Sequence, residues 1–404
     1  MNSTKHRRSG ITLDFLGLNL RISQLETVKP RQHTNLDKIM AMNTLISPAA
    51  RLSRIAQARQ QVIEQGSTLQ ATLVESWIER SWKRCLAWGH TPSQQLAFDA
   101  VSRSQIQYLK DANQPMLQAA KEELDRLSRA IAGTRYFALL TDAHGVVIDT
   151  RGEVDSTDPR ASRIARVGVN LSEQHVGTTA IGAVLTEQQP IWLHRGEHFF
   201  NDNTAYSCAG APLFGPMGEC VGMLDLTGVD VPERPELQHL AAQSARSIEN
   251  SWVRQMAPSL LLRFNWAGLS MGSDSDGLIG LDADGQIICA NRAARAITGV
   301  HLRSGEHAGD VFATAWQSLF DLTPQQRVEI PLWTGLQVQV QLDNDNRASG
   351  MAPRPAPMLK TIETDLIRRA MQQAKGNVAE AARRLGISRA TLYRKISPQK
   401  SGDK

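Results

Sequence analysis

Cysteine is scarce in this chain: Cys85, Cys208, Cys220 and Cys289 are the whole complement, and they form no Cys-x-x-Cys pair and no metal-ligand spacing. That excludes a zinc ribbon and a disulfide framework, and it fits a reducing cytosol. No apolar run approaches the ~18 residues of a membrane-spanning helix, so neither a membrane anchor nor a membrane partner is expected. The 404 residues contain no Gly-Lys dipeptide, which excludes the Gly-x-x-x-x-Gly-Lys-Ser/Thr loop that cradles nucleotide phosphates. Residues 1–42 lack a long apolar core as well. Their best stretch, "ITLDFLGLNL", is broken by Asp14 and Asn19 and has no small-residue cleavage site, so it is a poor signal peptide. This extension is expected to be disordered, and Met1, Met40 and Met42 all remain open as translation starts.

What is present is enough apolar residue, 41%, for packed cores in two to four domains at the usual ~100–200 residues each. Basic charge is also present, but in one place. From Lys360 onward eleven Lys and Arg stand against four acids, a net of +7 in a chain whose formal charge is +5, which leaves −2 for everything before. A tail so biased attracts a polyanion.

Within that tail, "NVAEAARRLGISRATLYRKI" (377–396) has the spacing of two short helices. Asn377 is a good N-cap, Ala381, Ala382 and Leu385 recur at helical intervals, and Gly386 suits the left-handed residue that ends a helix. Ser388 can cap a second helix whose buried stripe is Leu392 and Ile396. Two helices joined by so short a turn make a helix-turn-helix, and the alanines permit the close crossing it needs. The second helix then presents Ser388, Arg389, Thr391, Tyr393, Arg394 and Lys395 to double-stranded DNA. Arg389 and Arg394 suit bidentate bonding to guanine, Ser388 a base or a phosphate, and Thr391, Tyr393 and Lys395 phosphates. The wider stretch 361–396 resembles the Fis-type DNA-binding domain that closes most bacterial sigma-54 enhancer-binding activators. That resemblance implies a homodimer, with which the fourfold spacing of Ile362, Leu366, Ala370 and Ala374 is compatible.

Upstream, residues 43–130 read as a helical lead-in. At 131 the period changes: "YFALLTDAHGVVIDT" (136–150) is strand, turn, strand, and "QPIWLH", "CAGAPLF" and "CVGMLDLTG" are further strands, with the helix-like "VGTTAIGAVLTEQ" among them. Residues 131–254 are expected to form an antiparallel sheet with flanking helices. "SWKRC", "VNLSEQHVGTTAIGAVLTEQQPIWLHRGEHF" and "CAGAPLFGPMGECVGMLDLTG" resemble the GAF domain of the acetoin-catabolism regulator family. Two positions depart from that family's pattern: Leu171 stands for a tryptophan and Thr179 for an asparagine. Residues 272–343 resemble a short PAS domain, whose opening helix starts near Asn291, and the Gly- and Pro-rich 344–358 reads as a linker to the DNA-binding helices at 359–397. The fold class expected is thus multidomain α+β with an all-α C-terminal helix-turn-helix.

The loop after "QPIW" brings Trp192, His194, His198, Phe199, Tyr206 and Cys208 into one region, a mixture that would give apolar walls with few polar anchors for a small, uncharged effector. His194 and His198 have a zinc-like separation, but Gly196 between them disfavours the helix that would aim both at one ion, so no metal and no cofactor are expected. The reading is a cytoplasmic, non-enzymatic transcriptional regulator that pairs with DNA, a small-molecule effector, a second copy of itself and, as an open partner, RNA polymerase. Sigma-54 activators carry a central ATPase that this chain lacks between its PAS-like unit and its helix-turn-helix. On that account a decoy or interaction partner of full-length activators stays open, and Cys208 and Cys220 separately keep open a cysteine-based GAF-fold redox enzyme.

Overall fold

The computed structural model describes residues 47–69, 73–98, 101–299 and 305–343 and, towards the C-terminus, residues 371, 374, 377–384, 386, 387, 389 and 392. They divide into two units at Gln341, each with its own core. The expected N-terminal extension at 1–42 and the linker at 344–358 lie outside the described residues.

The first unit opens with helix α1 (Pro48–Arg59), capped by Ser47, whose hydroxyl accepts from the Ala50 N–H at 3.3 Å and which is followed by a proline suited to the first turn. Helix α2 (Ser76–Ala87) and the long α3 (Gln114–Ala130) follow. The chain then enters a five-stranded antiparallel sheet of order β2-β1-β5-β4-β3, made of β1 (Tyr136–Asp142), β2 (Val147–Arg151), β3 (Ile191–His194), β4 (Tyr206–Phe214) and β5 (Cys220–Val229). Helix α4 (Ala180–Glu187) lies between β2 and β3, and α5 (Glu236–Gln255) follows β5.

Strand alternation gives this sheet two apolar faces. On one, Ala138, Leu140, Ala209, Ala211, Leu224 and Leu226 pack against α3 and α5. On the other, Phe137, Leu139, Tyr206, Cys208 and Met223 meet Ile55, Trp77, Ile78, Trp82 and Cys85 from α1 and α2. Helices α1 and α2, expected as part of a separate lead-in, are therefore half of the sheet domain's own core.

A second five-stranded sheet, of order β8-β7-β6-β10-β9, comprises β6 (Leu260–Trp266), β7 (Gly277–Leu281), β8 (Ile287–Ala290), β9 (Val328–Pro331) and β10 (Gln337–Leu342). It begins at Leu260, ahead of the start expected at 272. Its β7–β8 hairpin repeats the device of the β1–β2 hairpin: the Asp142 carboxylate accepts from the N–H groups of His144 and Val146, and Asp282 from those of Asp284 and Gln286, all at 2.9 Å. Helix α6 (Arg292–Thr298) is capped by Asn291, whose Oδ1 accepts from Ala294 N–H at 2.8 Å.

In the second unit, Asn377 Oδ1 accepts from the N–H groups of Ala379 and Glu380 at 3.0 and 3.3 Å and starts helix α7 (Val378–Arg384). Gly386 takes the left-handed conformation, φ 65°, and Ala374, Ala381, Ala382 and Leu392 form a small core with Met371, Val378 and Ile387 against it. Among the described residues, no helix is long and apolar enough to cross a membrane.

Candidate functional site

Helix α2 holds the loops over the first sheet. Its "SWKRC" run grips the stretch 173–178: Arg84 donates to both carboxylate oxygens of the buried Glu173, each at 2.9 Å, Ser81 donates to the same carboxylate, and Cys85 lies 3.7 Å from the Thr178 hydroxyl. Trp82 Nε1 donates to the Glu197 carbonyl at 2.9 Å. From α1, Arg59 donates to the carbonyls of Gly196, His198 and Phe199. The two quoted motifs are thus one mechanical unit. Gly182 in α4 belongs to it too, since a Cβ there would lie 2.6 Å from the Glu173 Cβ and 2.7 Å from its backbone nitrogen.

Beneath these loops lies a small cavity of about 30 Å³. Its floor is the sheet: Leu139 from β1, Tyr206 and Cys208 from β4, Asp225 and Thr227 from β5. Its roof comprises Leu171, Val176 and the start of α4, with His198 and Asn203 to the side. Phe98 and Thr179 are its half-buried lining residues. The two positions that depart from the acetoin-regulator pattern, Leu171 and Thr179, both face this space.

The six residues expected to share one pocket are divided. His198, Tyr206 and Cys208 line the cavity. Phe199 packs edge-on against Phe200 at 5.2 Å between ring centroids, in the core beside it. Trp192 and His194 lie on the other face of the sheet: the register pairs Leu193 with Cys208 and His194 with Ser207, and paired residues share a face. There His194 Nδ1 meets the Ser207 hydroxyl at 2.8 Å and its ring stacks on Trp192 at 5.7 Å. The zinc-like pair His194 and His198 is split because β3 ends at His194 and the chain turns through Arg195–Glu197 before His198. Burial keeps both imidazoles neutral, lowering His194 to about 3 and His198 to about 4.

The redox alternative meets a similar geometry. Register places Cys208 opposite Thr227 and Cys220 opposite Phe214, so the two thiols sit at far ends of the strand pair, roughly 20 Å apart at ~3.3 Å per residue. All four cysteines are free thiols, and burial pushes Cys208 well up from its ordinary value.

Asp225 and Thr227 were not anticipated. Asp225 is 1% exposed, accepts the Thr227 hydroxyl on Oδ2 and leaves Oδ1 with no partner. Burial pushes its carboxyl up to about 7. The signal was in the sequence: an aspartate inside the apolar strand "GMLDLTG", where charged residues are rarely buried without a partner.

Of the residues expected to touch DNA, Arg389 is described: it is helical and exposed. Ser388, Thr391, Tyr393, Arg394 and Lys395 lie outside the described residues, as do Leu385 and Ile396. Leu392 is fully buried, which fits the inward stripe expected for that helix.

Known proteins match both ends of this architecture. Residues 53–250 match the MimR N-terminal domain family, and residues 358–397 match the bacterial regulatory protein, Fis family. The chain is 27% identical over 298 residues to the acetoin catabolism regulatory protein of Cupriavidus necator, covering 72% of this chain and 42% of that one. It is 29% identical over 212 residues to the propane 2-monooxygenase operon transcriptional activator MimR of Mycolicibacterium goodii, covering 51% and 34%. Among solved structures, the Escherichia coli DhaR(N)–DhaL complex aligns with a TM-score of 0.43 at 12% identity, over 66% of this chain and 99% of that one. The chain spans less than half the length of these curated relatives. The chain is thus similar to the acetoin-catabolism regulators, matching the MimR N-terminal domain family at 53–250 and the Fis family towards its C-terminal end.

Proposed function

We propose that this chain is a cytoplasmic, DNA-binding transcriptional regulator that senses a small molecule in the cavity of its first sheet domain, a GAF-like module, and binds DNA as a homodimer through 377–396. The observation that carries the reading is the Fis-family match at 358–397 on a segment where Asn377 caps, Gly386 turns and Arg389 is exposed. DNA contact falls to Ser388, Arg389, Thr391, Tyr393, Arg394 and Lys395, with the arginines reading bases and the others holding backbone. The test is a mobility shift of the full chain on the promoter region beside its own gene, with Arg389→Ala and Arg394→Ala. Binding that survives both substitutions at physiological salt overturns the assignment.

A second reading is favoured by one sequence fact. The chain passes from its second sheet to the helix-turn-helix with no nucleotide-binding loop, so it has no evident means of hydrolysing ATP. It would then act as a decoy or interaction partner of full-length sigma-54 activators. Reconstituted transcription with the housekeeping sigma factor separates the two: direct regulation changes output with this protein alone, whereas a decoy changes it only when a full-length relative is present.

A further inference from the structure

The cavity's polar groups are unequal in what they have left to offer. Its hydroxyl donors are committed, Tyr206 to the Arg160 carbonyl at 3.1 Å, Thr179 to the Leu171 carbonyl at 3.4 Å and Thr227 to Asp225, and one N–H of the Asn203 amide goes to the Val176 carbonyl at 2.9 Å. His198 Nδ1 is 2.9 Å from the Arg195 carbonyl, a contact that requires Nδ1 to carry the proton and leaves Nε2 as an acceptor, 3.7 Å from the Cys208 sulfur. Oδ1 of Asp225 is a buried oxygen of the cavity floor with no hydrogen-bond partner at all. No Arg or Lys is among the lining residues. A carboxyl oxygen buried with no partner is costly to a fold, and its position in the cavity floor gives that cost a use.

We propose that Asp225 anchors the cavity's ligand through Oδ1, and that the ligand is a small uncharged molecule that donates a hydrogen bond, an alcohol or a primary amide on an apolar body. The inference rests on the sensing role proposed above. Its physical content is complementarity. The space supplies an acceptor and apolar walls, so a molecule with only acceptor groups leaves Oδ1 unpaired, and an anion brings a second negative charge beside a carboxyl with no cation to offset it. Leu171, Val176 and Ile181 close over the apolar body.

The test uses the full chain above pH 8, where the Asp225 carboxyl has released its proton and can only accept, with three small probes: butan-2-ol, butan-2-one and butanoate. Affinities come from the shift of the thermal midpoint with probe concentration, and a mobility shift on the same preparation reads DNA binding separately. Butan-2-ol is expected to bind at least about tenfold more tightly than butan-2-one or butanoate, the worth of one hydrogen bond to a buried acceptor. In Asp225→Asn the amide can turn its N–H towards a carbonyl, so the alcohol-to-ketone preference should fall by about tenfold while the Asn variant stays folded. Equal binding of alcohol and ketone by the wild-type chain overturns the inference. So does tightest binding of butanoate, an unchanged preference in Asp225→Asn, or no binding of butan-2-ol at all. Loss of DNA binding in the mobility shift would instead overturn the regulator reading, and it leaves the probe series to be judged by itself.

Discussion

Thr227 donates its hydroxyl hydrogen to one oxygen of Asp225 and leaves the other oxygen of the same buried carboxyl without a partner. Two residues apart on β5, they face the cavity together, while Leu224 and Leu226 between and beside them face the helices behind the sheet.

The cost of that arrangement should be visible as pH dependence. Burial raises Asp225 from the ordinary 3.8 to about 7, so between these values the folded state holds a proton that the unfolded state releases. Stability from this group is therefore fully present below about pH 4, declines as pH rises and levels off above about pH 7. Asp225→Asn removes the dependence. Urea unfolding should show the variant gaining on the wild type from pH 4 to pH 8, by an amount on the order of a few kcal/mol at most. A gap that is the same at both pH values would count against a buried, proton-binding Asp225. Burial also raises Glu197 and Glu249 to about 7, and their contribution cancels in the comparison.

Arg84 and Glu173 predict a second stability effect. Glu173 is 6% exposed and takes both of its strong bonds from Arg84, which is 29% exposed. Arg84→Ala leaves a buried carboxylate with only Ser81 to hold it and should cost about 2–4 kcal/mol. Arg84→Lys should recover part of that, since one ammonium cannot make the two-pronged contact. Denaturant midpoints of both variants check the order.

Gly182→Ala sets two effects against each other. Alanine favours a helix by roughly 1 kcal/mol over glycine, but its Cβ would press on the Glu173 backbone and side chain at under 3.0 Å. Backbone cannot yield as a flexible side-chain tip can, so a net loss of about 1–3 kcal/mol is expected. A variant more stable than wild type in thermal unfolding would show that the α4 contact is looser than it stands here.

In the second unit, Asn377→Ala removes the acceptor of two N–H groups and should cost about 0.5–2 kcal/mol of local stability. If the helix-turn-helix is the DNA-binding element, affinity for the operator falls in step, and Arg389→Ala lowers it by about 1–3 kcal/mol without a change in helicity. Circular dichroism beside a mobility shift separates the two kinds of loss.

The sequence by itself determined whatever depends on near neighbours. Asn377 as a cap, Gly386 as the left-handed turn, and Ala381, Ala382 and Leu392 as the inward contact are all set within one or two turns of chain, and the Asp142 and Asp282 hairpins within five residues. Tertiary structure alone decided which cavity candidates meet. Trp192 and His194 follow one another at period two, as do Tyr206 and Cys208, so each pair shares a face; which face is fixed by the β3–β4 register, and that register sets His194 beside Ser207, behind the sheet. The same long-range pairing placed β6 in the middle of the second sheet, although "LLLRFNW" has a strand's composition and no local turn signal linking it to β10. It also brought "SWKRC" onto Glu173 and closed a cavity over Asp225. A strand's side-chain period is local, but the partner that turns one of its faces inward stands many residues away, and only the packed chain supplies it.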